Sequence, residues 1–451
     1  MATTHIFQSA TAKLLGIGIL ALLMGIPLGM VSGLRHEREQ RRAEAEGTIS
    51  ASWGSATRVA GPVLAVPHLR IVTTEKTRSE VWTWWYLLPE QLDANATVRV
   101  STRSKGIYSL PVYQADVVLK GHFAPPSDAL QDGEGTLQWA QAEILLPVSD
   151  PRGLRSLHSS IGGDDKIRLT PSAHRVGGMT AFSGTASGLD PRQALPFEFR
   201  LTQAGTGLID FLPMARSFSA HVDAGWPDPD FFGATLPSAR PDSRAGRFAA
   251  DWQVLEYNRS FPNVWADAGL DLDALNSSAF GVRLYRSADV YQQNERSTKY
   301  GMLFIALTFG VFFLFETLQR LRVHPVQYLL VGTALATFYL LLLAASEHIS
   351  FGVAYLLGAV ALVLIIAGYC SAILRSWRRG LGIGSWLALL YGVLFVLITR
   401  EDFALVMGAS VVLLLIALTM YLTRGVDWYG VGAGAPAAEP KLRGGHDDST
   451  L

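Results

Sequence analysis

The sequence predicts an α+β membrane protein. A large antiparallel, β-rich, sandwich-like domain is expected between one N-terminal transmembrane helix and a C-terminal bundle of five transmembrane helices. Of the 451 residues, 49% are hydrophobic and 17% are charged, and the charged residues become scarce after Tyr300. The stretch before Tyr300 alternates short runs of β-branched and aromatic residues with Gly-, Pro- and Asp-rich clusters, a pattern typical of strands and turns.

The first predicted span covers residues 14–34, which carry no charge. At about 1.5 Å per residue this segment is long enough to cross a hydrocarbon core of about 30 Å. A cleavable signal peptide is the alternative, because Lys13 precedes the run and Ala43, Glu44 and Ala45 imitate a cleavage site. Signal peptides have shorter apolar regions of about 7 to 15 residues, so a permanent anchor is favoured, with residues 1–13 before it.

Five further apolar segments follow the β-rich region. Each is about the length that a span requires and is bounded by charge or by Gly and Pro. The predicted spans are residues 300–318, 326–346, 351–374, 381–399 and 403–423. The sequence therefore predicts six spans, and residues 300–423 form a five-helix bundle.

Both termini are predicted to be cytoplasmic, because cytoplasmic loops retain Lys and Arg. The basic residues that follow alternate spans are Arg320, Arg322, Arg375, Arg378, Arg379, Arg424, Lys441 and Arg443. The connections at 347–350 and 400–402 contain only one Arg between them. An Arg-rich stretch directly after the first span argues the other way, but the later loops agree with each other. The region between the first two spans is then expected outside, in the periplasm if the membrane is a bacterial inner membrane.

Residues 35–49 are predicted to continue the first helix as a juxtamembrane stalk. The sequence RHEREQRR places Glu37 and Arg41 at i, i+4, a spacing that stabilises helices. Its arginines also suit anionic lipid head groups, although a solvated stalk is the more common role of such a charge run.

Residues 50–295 are predicted to form the β-rich domain, as one large unit or two smaller ones. Within it, GWPDPDFFGATLP at 225–237 places Trp226 and Phe231 in a loop stiffened by proline. An exposed aromatic loop of this kind is suited to binding a ligand. The alternative is that the rings close one end of the β core, which is favoured because large aromatic side chains are usually buried.

The sequence contains no common catalytic or metal-binding motif. It lacks HExxH, Walker A, GxSxG and CxxC patterns, and the histidines of the β-rich region are scattered singly. We therefore expect no enzymatic activity, no cofactor and no metal ion. A net charge of zero disfavours nucleic acid as a partner, and the single Cys370 excludes a disulfide within the chain.

Three ionisable residues near span ends are candidates for a function in the membrane. Glu316 lies near the predicted cytoplasmic end of its span, where a carboxylate in hydrocarbon is costly and usually has a purpose. Pairing with Arg320 at i+4 is the simpler interpretation. Glu347 and His348 end the run FYLLLLAASEH, and the predicted orientation places both in a short periplasmic turn, where water solvates them. The hypothesis that remains for them is coupling between the helices and the β domain.

Several stretches resemble the CreD family of bacterial inner-membrane proteins. The similarity is strongest in ERSTKYGMLFIALTFGVFFLFETL at 295–318 and HPVQYLLVGTALATFYLLLLAASEH at 324–348. VAGPVLAVP at 59–67, the loop at 225–237 and TRGVDWY at 423–429 extend it along the chain. The end of the predicted cytoplasmic tail, 424–451, departs from the family pattern from residue 430 onward and is expected to be disordered.

The resemblance implies a multi-pass inner-membrane protein with a large periplasmic β domain, under the control of a two-component system. It also implies a role in envelope integrity, in tolerance to colicins and, in some bacteria, in responses to β-lactams, without known catalytic residues. The expected function is thus a non-enzymatic envelope protein, anchored in the lipid bilayer, whose β domain binds another envelope protein or an envelope component. A small transporter or flippase, with Glu316, Glu347 and His348 along a polar path, is the alternative. A membrane hydrolase ranks third.

Overall fold

A computed structural model describes residues 10–74, 77–125, 135–185, 192–238, 246–267, 269–284, 290–318, 323–399 and 404–424. The chain divides into two compact units. The helical unit comprises Met1–Gln40 and Ala288–Leu451, and the β unit comprises Arg41–Ser287. The predicted tail from residue 425 onward lies outside the described residues, as do Arg320, Arg322 and Arg400.

The long helices follow the apolar segments of the sequence, and one short helix, the third in the chain, belongs to the β unit. The helices are α1 (Ala10–Leu23), α2 (Gly25–Trp53), α3 (Leu272–Ser277), α4 (Val290–Leu318), α5 (Pro325–Ser346), α6 (Phe351–Ile373), α7 (Trp377–Thr399) and α8 (Ala404–Thr423). The break between α1 and α2 has a local cause. Pro27 has no N–H to donate to the carbonyl of Leu23, four residues earlier, and a proline at this position interrupts or kinks a helix.

Helices are present in all six predicted spans, and α2 also continues through the predicted stalk. Within the described residues, five helices are long and apolar enough to cross a membrane. The sixth predicted span forms α8, and many of its side chains lie outside the described part of the structure.

Aromatic rings of α5, α6 and α7 form the centre of the helical unit. Phe338 contacts Tyr355 and Tyr391 edge to face, with ring centroids 5.4 and 4.9 Å apart. The Tyr355 hydroxyl donates to the Tyr391 carbonyl at 2.7 Å. The aromatic start of the run FYLLLLAASEH is therefore part of the helical core, because Phe338 and Tyr339 are almost fully buried.

The β unit contains two sheets in the described residues. Its strands are β1 (Thr57–Ala60), β2 (Val63–Thr74), β3 (Thr77–Leu87), β4 (Gln91–Lys105), β5 (Tyr108–Phe123), β6 (Gly135–Leu137), β7 (Glu143–Val148), β8 (Leu154–Ile161), β9 (Thr170–Val176), β10 (Met179–Thr185), β11 (Leu195–Thr206), β12 (Leu208–Leu212), β13 (Ser217–Ala224), β14 (Pro229–Gly233), β15 (Phe248–Leu255), β16 (Val264–Ala266) and β17 (Phe280–Leu284).

The first sheet has the order β14-β17-β12-β1-β7-β2-β3-β16, with β6 paired to β2, β10 to β7 and β9 to β10. The second has the order β15-β13-β4-β5-β11-β8. Most pairs are antiparallel, as predicted, but β1 pairs with β12 and β4 with β13 in parallel. Parallel strands need a long connection, and residues distant in sequence therefore become neighbours.

The two sheets share one apolar core. Phe211 and Phe280 of the first sheet lie against Trp252 of the second, with ring centroids 6.4 and 5.6 Å from it. All three side chains are nearly inaccessible to solvent. Strand β15 alternates buried and exposed residues along its whole length, as expected for a strand with one face on a core.

Asp150 stabilises one end of the β unit. Its carboxylate accepts hydrogen bonds from the backbone N–H of Ser55 at 2.9 Å, from the backbone N–H of Arg152 at 3.1 Å and from the Arg152 Nε at 2.9 Å. These donors, Arg152 first among them, hold the pKa of Asp150 well below its usual range. The carboxylate is buried and saturated with donors, so it has a structural role.

Candidate functional site

Helix α4 carries a polar cluster near each of its ends. One surrounds Glu316, near the C-terminal end of the helix. The other surrounds Glu295, near the N-terminal end. Between them the helix is apolar, so the two clusters are separated by the part of α4 that is suited to hydrocarbon.

Glu316 is buried, with 5% of its surface exposed, and both carboxylate oxygens are occupied. Its Oε1 pairs with Lys13 Nζ of α1 and accepts from the backbone N–H of Val323 at 2.7 Å. Its Oε2 accepts from the Tyr328 hydroxyl of α5 at 3.1 Å. Glu316 therefore connects α1, α4 and the start of α5 through charge-assisted hydrogen bonds, which are stronger than neutral ones.

A small cavity adjoins Glu316. It has a volume of about 10 Å³ and is lined mainly by apolar side chains, including Phe312, Val331 and Cys370. A space of this size holds about one water molecule. The sequence-based partner of Glu316, Arg320, lies outside the described residues, and the partner that the structure shows, Lys13, is distant in sequence.

Glu347 forms the C-terminal cap of α5, next to Ser346. Its side chain is 8% exposed, accepts from the Tyr291 hydroxyl at 3.1 Å and lies 3.8 Å from Arg38 Nη1. His348 follows as an exposed residue of the turn. The contacts of Glu347 thus connect α5 to the start of α4 and to α2.

An open cleft lies beside the second cluster of α4. Its volume is about 310 Å³, and it is lined by Gly25, Leu28, Gly29, Ser32, Arg35, Glu295, Thr298, Lys299 and Met302. The lining residues come from α2 and α4. Arg35 and Lys299 both pair with Glu295, at 3.5 and 2.8 Å. The sequence indicated Arg35 only as part of the Arg-rich stalk and did not place it beside Glu295 and Lys299, because their proximity depends on how two helices pack.

In the β unit, Trp226 and Phe231 are half-buried against the shared core. Phe231 lies on β14, with its ring centroid 5.7 Å from that of Phe248 and 5.9 Å from that of Trp252. The indole N–H of Trp226 donates to the Asp228 carbonyl at 3.1 Å. Part of the predicted loop is therefore a strand that begins at Pro229, a position where a strand tolerates proline.

The β2–β3 hairpin is the feature of the β unit that sequence reasoning missed. Beyond Arg70 on β2 and before Trp85 on β3, the described strands pair only with each other. This distal half exposes four apolar side chains: Ile71 at 43%, Val72 at 39%, Val81 at 41% and Trp82 at 50%. The sequence VWTWWYLL indicated a strand but not that its first residues extend away from the core.

The described residues contain no group of three or more His, Cys, Asp or Glu side chains that is suited to hold a metal ion. The ionisable groups that the structure brings together are ion pairs, and most of them are held by arginine. The two clusters of α4 and the hairpin are thus the candidate functional features.

The family model for the inner membrane protein CreD matches residues 9–429 of the chain. The chain belongs to the CreD family. It is 33% identical over 416 residues to the inner membrane protein CreD of Escherichia coli K12, covering 90% of this chain and 91% of that protein. The resemblance found in the sequence is confirmed, and the chain is a CreD-type, multi-pass inner-membrane protein.

Two solved structures align only weakly with parts of this CreD-family chain. A suspected protease from Parabacteroides distasonis aligns with 8% identity and a TM-score of 0.24, covering 51% of this chain and 50% of that one. Yeast LTA4 hydrolase aligns with 9% identity and a TM-score of 0.21, covering 49% and 35%. TM-scores this low do not establish a shared fold.

Proposed function

We propose that this chain is a non-enzymatic envelope protein whose periplasmic β unit binds another envelope protein, while the helical unit anchors it in the inner membrane. Through this interaction it contributes to envelope integrity and to tolerance of colicins or β-lactams. The observation that supports the proposal is the distal half of the β2–β3 hairpin. Its apolar side chains are exposed, and its edges pair with no further strand among the described residues.

Open strand edges carry unpaired backbone N–H and C=O groups, and proteins usually cover or disrupt them. Recognition by strand addition uses those groups for affinity and the alternating side chains for specificity. In the hairpin, Ile71 and Trp82 lie on one face, whereas Val72 and Val81 lie on the other, as the register of the two strands requires. A partner strand that pairs with either edge then also contacts apolar side chains.

Trp82 is the residue that tests this surface most cleanly. It is half-exposed, so Trp82→Ser removes contact area without opening a core cavity. Substitution of Trp226 or Phe231 also tests a role of the aromatic segment, but both side chains support the core, and their loss affects folding as well. Tyr257 is a matched control, because it is an exposed aromatic residue of the same unit, at 87%.

The experiment is complementation of a strain that lacks the chromosomal copy. We expect Trp82→Ser to reach the membrane in normal amounts and to lose the colicin or β-lactam phenotype, whereas Tyr257→Ser retains it. A photo-crosslinking residue at position 82 should also join the chain to one protein partner. Full complementation by Trp82→Ser, or crosslinks to lipid alone, would contradict the proposal.

A transporter or flippase is the alternative, and the observation that favours it is the buried Glu316 on a membrane helix, since such carboxylates often mark transport paths. Its oxygens are occupied by Lys13, Val323 and Tyr328, and the adjoining cavity has room for about one water molecule. Both facts favour a structural role. A Glu316→Gln variant with wild-type phenotype, or proteoliposomes without substrate movement, would exclude transport through this group.

A further inference from the structure

The cleft between α2 and α4 lies at the level where both helices change between apolar and charged residues. Helix α2 is uncharged up to Leu34 and becomes charged at Arg35. Helix α4 is charged up to Lys299 and becomes apolar from Tyr300. Such a change marks the boundary between the hydrocarbon core and the head groups of a bilayer. The cleft is therefore at the depth of lipid head groups.

The apolar half of the cleft has space for a hydrocarbon chain. Its wall on α2 contains Gly25 and Gly29, and a Cβ added to Gly29 would meet no atom within 4 Å. Leu28 and Met302 supply apolar contact surface. The volume of about 310 Å³ is at the lower end of the roughly 300 to 1,000 Å³ typical of small-molecule pockets.

The polar half of the cleft contains an arginine with unused donor capacity. Arg35 is 13% exposed, and its Nη1 contacts Glu39 at 2.6 Å and Glu295 at 3.5 Å. Its buried Nε has no hydrogen-bond partner among the described residues. A buried N–H without a partner is costly. A small rotation of the guanidinium fork, which is suited to bidentate binding of phosphate oxygens, would bring this N–H to a ligand in the cleft.

The charges of the cluster select among phospholipids. Arg35 and Lys299 contribute two positive charges, and Glu295 and Glu39 contribute two negative ones. Glu39 pairs with Arg35 without lining the cleft, and the ion-paired group as a whole has no net charge. An anionic lipid would leave its charge uncompensated. A zwitterionic lipid with a primary ammonium group matches both signs, because its phosphate meets the cations and its ammonium meets a carboxylate.

We propose that this cleft is a binding site for one phospholipid of the phosphatidylethanolamine class. The phosphodiester accepts hydrogen bonds from Arg35 and Lys299, the ammonium group donates to Glu295, and an acyl chain lies along Leu28 and Gly29. The site belongs to the helical unit and is independent of the partner that we propose for the β unit.

The test is native mass spectrometry of the full-length protein in detergent, with phosphatidylethanolamine and phosphatidylglycerol titrated separately. We expect one retained phosphatidylethanolamine per chain, bound in preference to phosphatidylglycerol. Arg35→Gln should weaken its retention about tenfold, because a hydrogen bond to a charged group contributes at least the free energy of a tenfold change. Arg42→Gln is the matched control, since Arg42 also pairs with a glutamate at i+4, Glu46, but does not line the cleft.

A second variant separates binding from folding. Gly29→Leu fills the open space of the cleft and replaces a glycine by a better helix former, so we expect loss of the lipid without loss of thermal stability. Gly18→Leu, on α1, also adds a side chain where 4 Å around the Cβ is empty, and we expect it to retain the lipid.

Three results would overturn the proposal. Equal lipid retention by the wild type, Arg35→Gln and Gly29→Leu would show that the cleft does not bind the lipid. Equal retention of phosphatidylglycerol would refute the selection by charge. Displacement of the lipid by millimolar inorganic phosphate would show an anion site that does not need the acyl chain.

Discussion

The two polar clusters of α4 differ in how completely their groups are paired. At the Glu316 end, three donors occupy both oxygens of a buried carboxylate, and the adjoining space is about 10 Å³. At the Glu295 end, a buried arginine N–H has no partner among the described residues, and the adjoining cleft is about 310 Å³. We call the Glu316 cluster closed, because its groups are paired and little space adjoins it, and the Glu295 cluster open, because an N–H is unpaired and a cleft adjoins it. Both clusters contain basic and acidic side chains.

This difference separates structural charges from charges that can bind a ligand. A charge in a membrane helix is tolerated when it is fully paired, and it then fixes the packing of the helices around it. A partly paired cationic side chain next to a cleft still has hydrogen-bond donors that can bind a ligand. Residue type and depth in the membrane therefore do not identify a site, whereas the pairing and the space around the charge do.

The largest expected effect is at the closed cluster. Glu316→Leu leaves Lys13 without its partner and the Tyr328 hydroxyl without its acceptor, and we expect the free energy of unfolding to fall by about 3 kcal/mol. Breaking a buried ion pair costs about 3 to 5 kcal/mol, and the lower value applies because Lys13 is 32% exposed. The measurement is thermal or denaturant unfolding of the full chain in detergent.

The control for this variant is the double substitution Lys13→Leu with Glu316→Leu. An apolar pair of similar size often replaces a buried ion pair without loss, so we expect the double variant to recover most of the stability. Equal destabilisation of the single and double variants would show that the pair is not what holds α1 to α4.

A second, smaller effect on stability is expected in the β unit, which contains a buried, fully hydrogen-bonded carboxylate, Asp150, and a half-exposed one, Asp230. Asp150→Asn should lower the free energy of unfolding by about 2 kcal/mol at neutral pH, because buried donors lose a charged acceptor. Asp230 pairs with Arg283 at 3.0 Å, but both side chains are about half-exposed. Asp230→Asn should therefore change stability by less than about 0.5 kcal/mol.

The effect of Asp150 should depend on pH with a defined sign. The pKa of Asp150 in the folded protein is below its usual range, so the unfolded chain binds a proton first. The stabilisation is then complete above the unfolded pKa of about 4 and is lost as the pH falls toward the folded pKa. Melting temperatures of wild type and Asp150→Asn should converge at acidic pH, and a constant difference would contradict this assignment.

A third effect, smaller than those of Glu316→Leu and Asp150→Asn, is expected at Glu347. Glu347→Ala removes the acceptor of the Tyr291 hydroxyl and the negative charge beside Arg38, and we expect the free energy of unfolding to fall by about 1 kcal/mol. If Glu347 couples the helices to function, the envelope phenotype should also be lost while insertion stays normal. His348→Ala is the adjacent control, because the exposed imidazole should be dispensable. If Glu347→Ala keeps the wild-type phenotype, the role of Glu347 is limited to capping α5.

The helical unit follows from the sequence more closely than the β unit does. Uncharged runs of the required length predict each long helix, because hydrocarbon admits a spanning chain only with its backbone hydrogen bonds made internally. In the β unit, alternation predicted several strands. It did not predict the parallel pairs of β1 with β12 and β4 with β13, because such pairing is set by long-range topology rather than by local pattern.

The candidate sites were predicted only as single residues. Glu316 was singled out as a carboxylate near the end of a membrane span, with Arg320 as its expected partner. Lys13 was not recognised as a partner, since 303 positions separate it from Glu316. Arg35 was noted only as part of the Arg-rich stalk and Lys299 was not noted, because each looks like an ordinary charge next to a membrane span. The sequence identifies a charged residue in a membrane helix. The residue that pairs with it depends on helix packing, which the sequence does not show.

The most direct test of the comparison measures stability and lipid retention together for one variant at each end of α4. We expect Glu316→Gln to lower the melting temperature of the detergent-solubilised chain while its bound phosphatidylethanolamine is unchanged. Arg35→Gln should lose the lipid in a mass spectrum of the same preparation, and its melting temperature in lipid-free detergent should match that of the wild type. If both variants lost stability and lipid in parallel, the two clusters would be one structural system and the distinction between closed and open ends would be wrong.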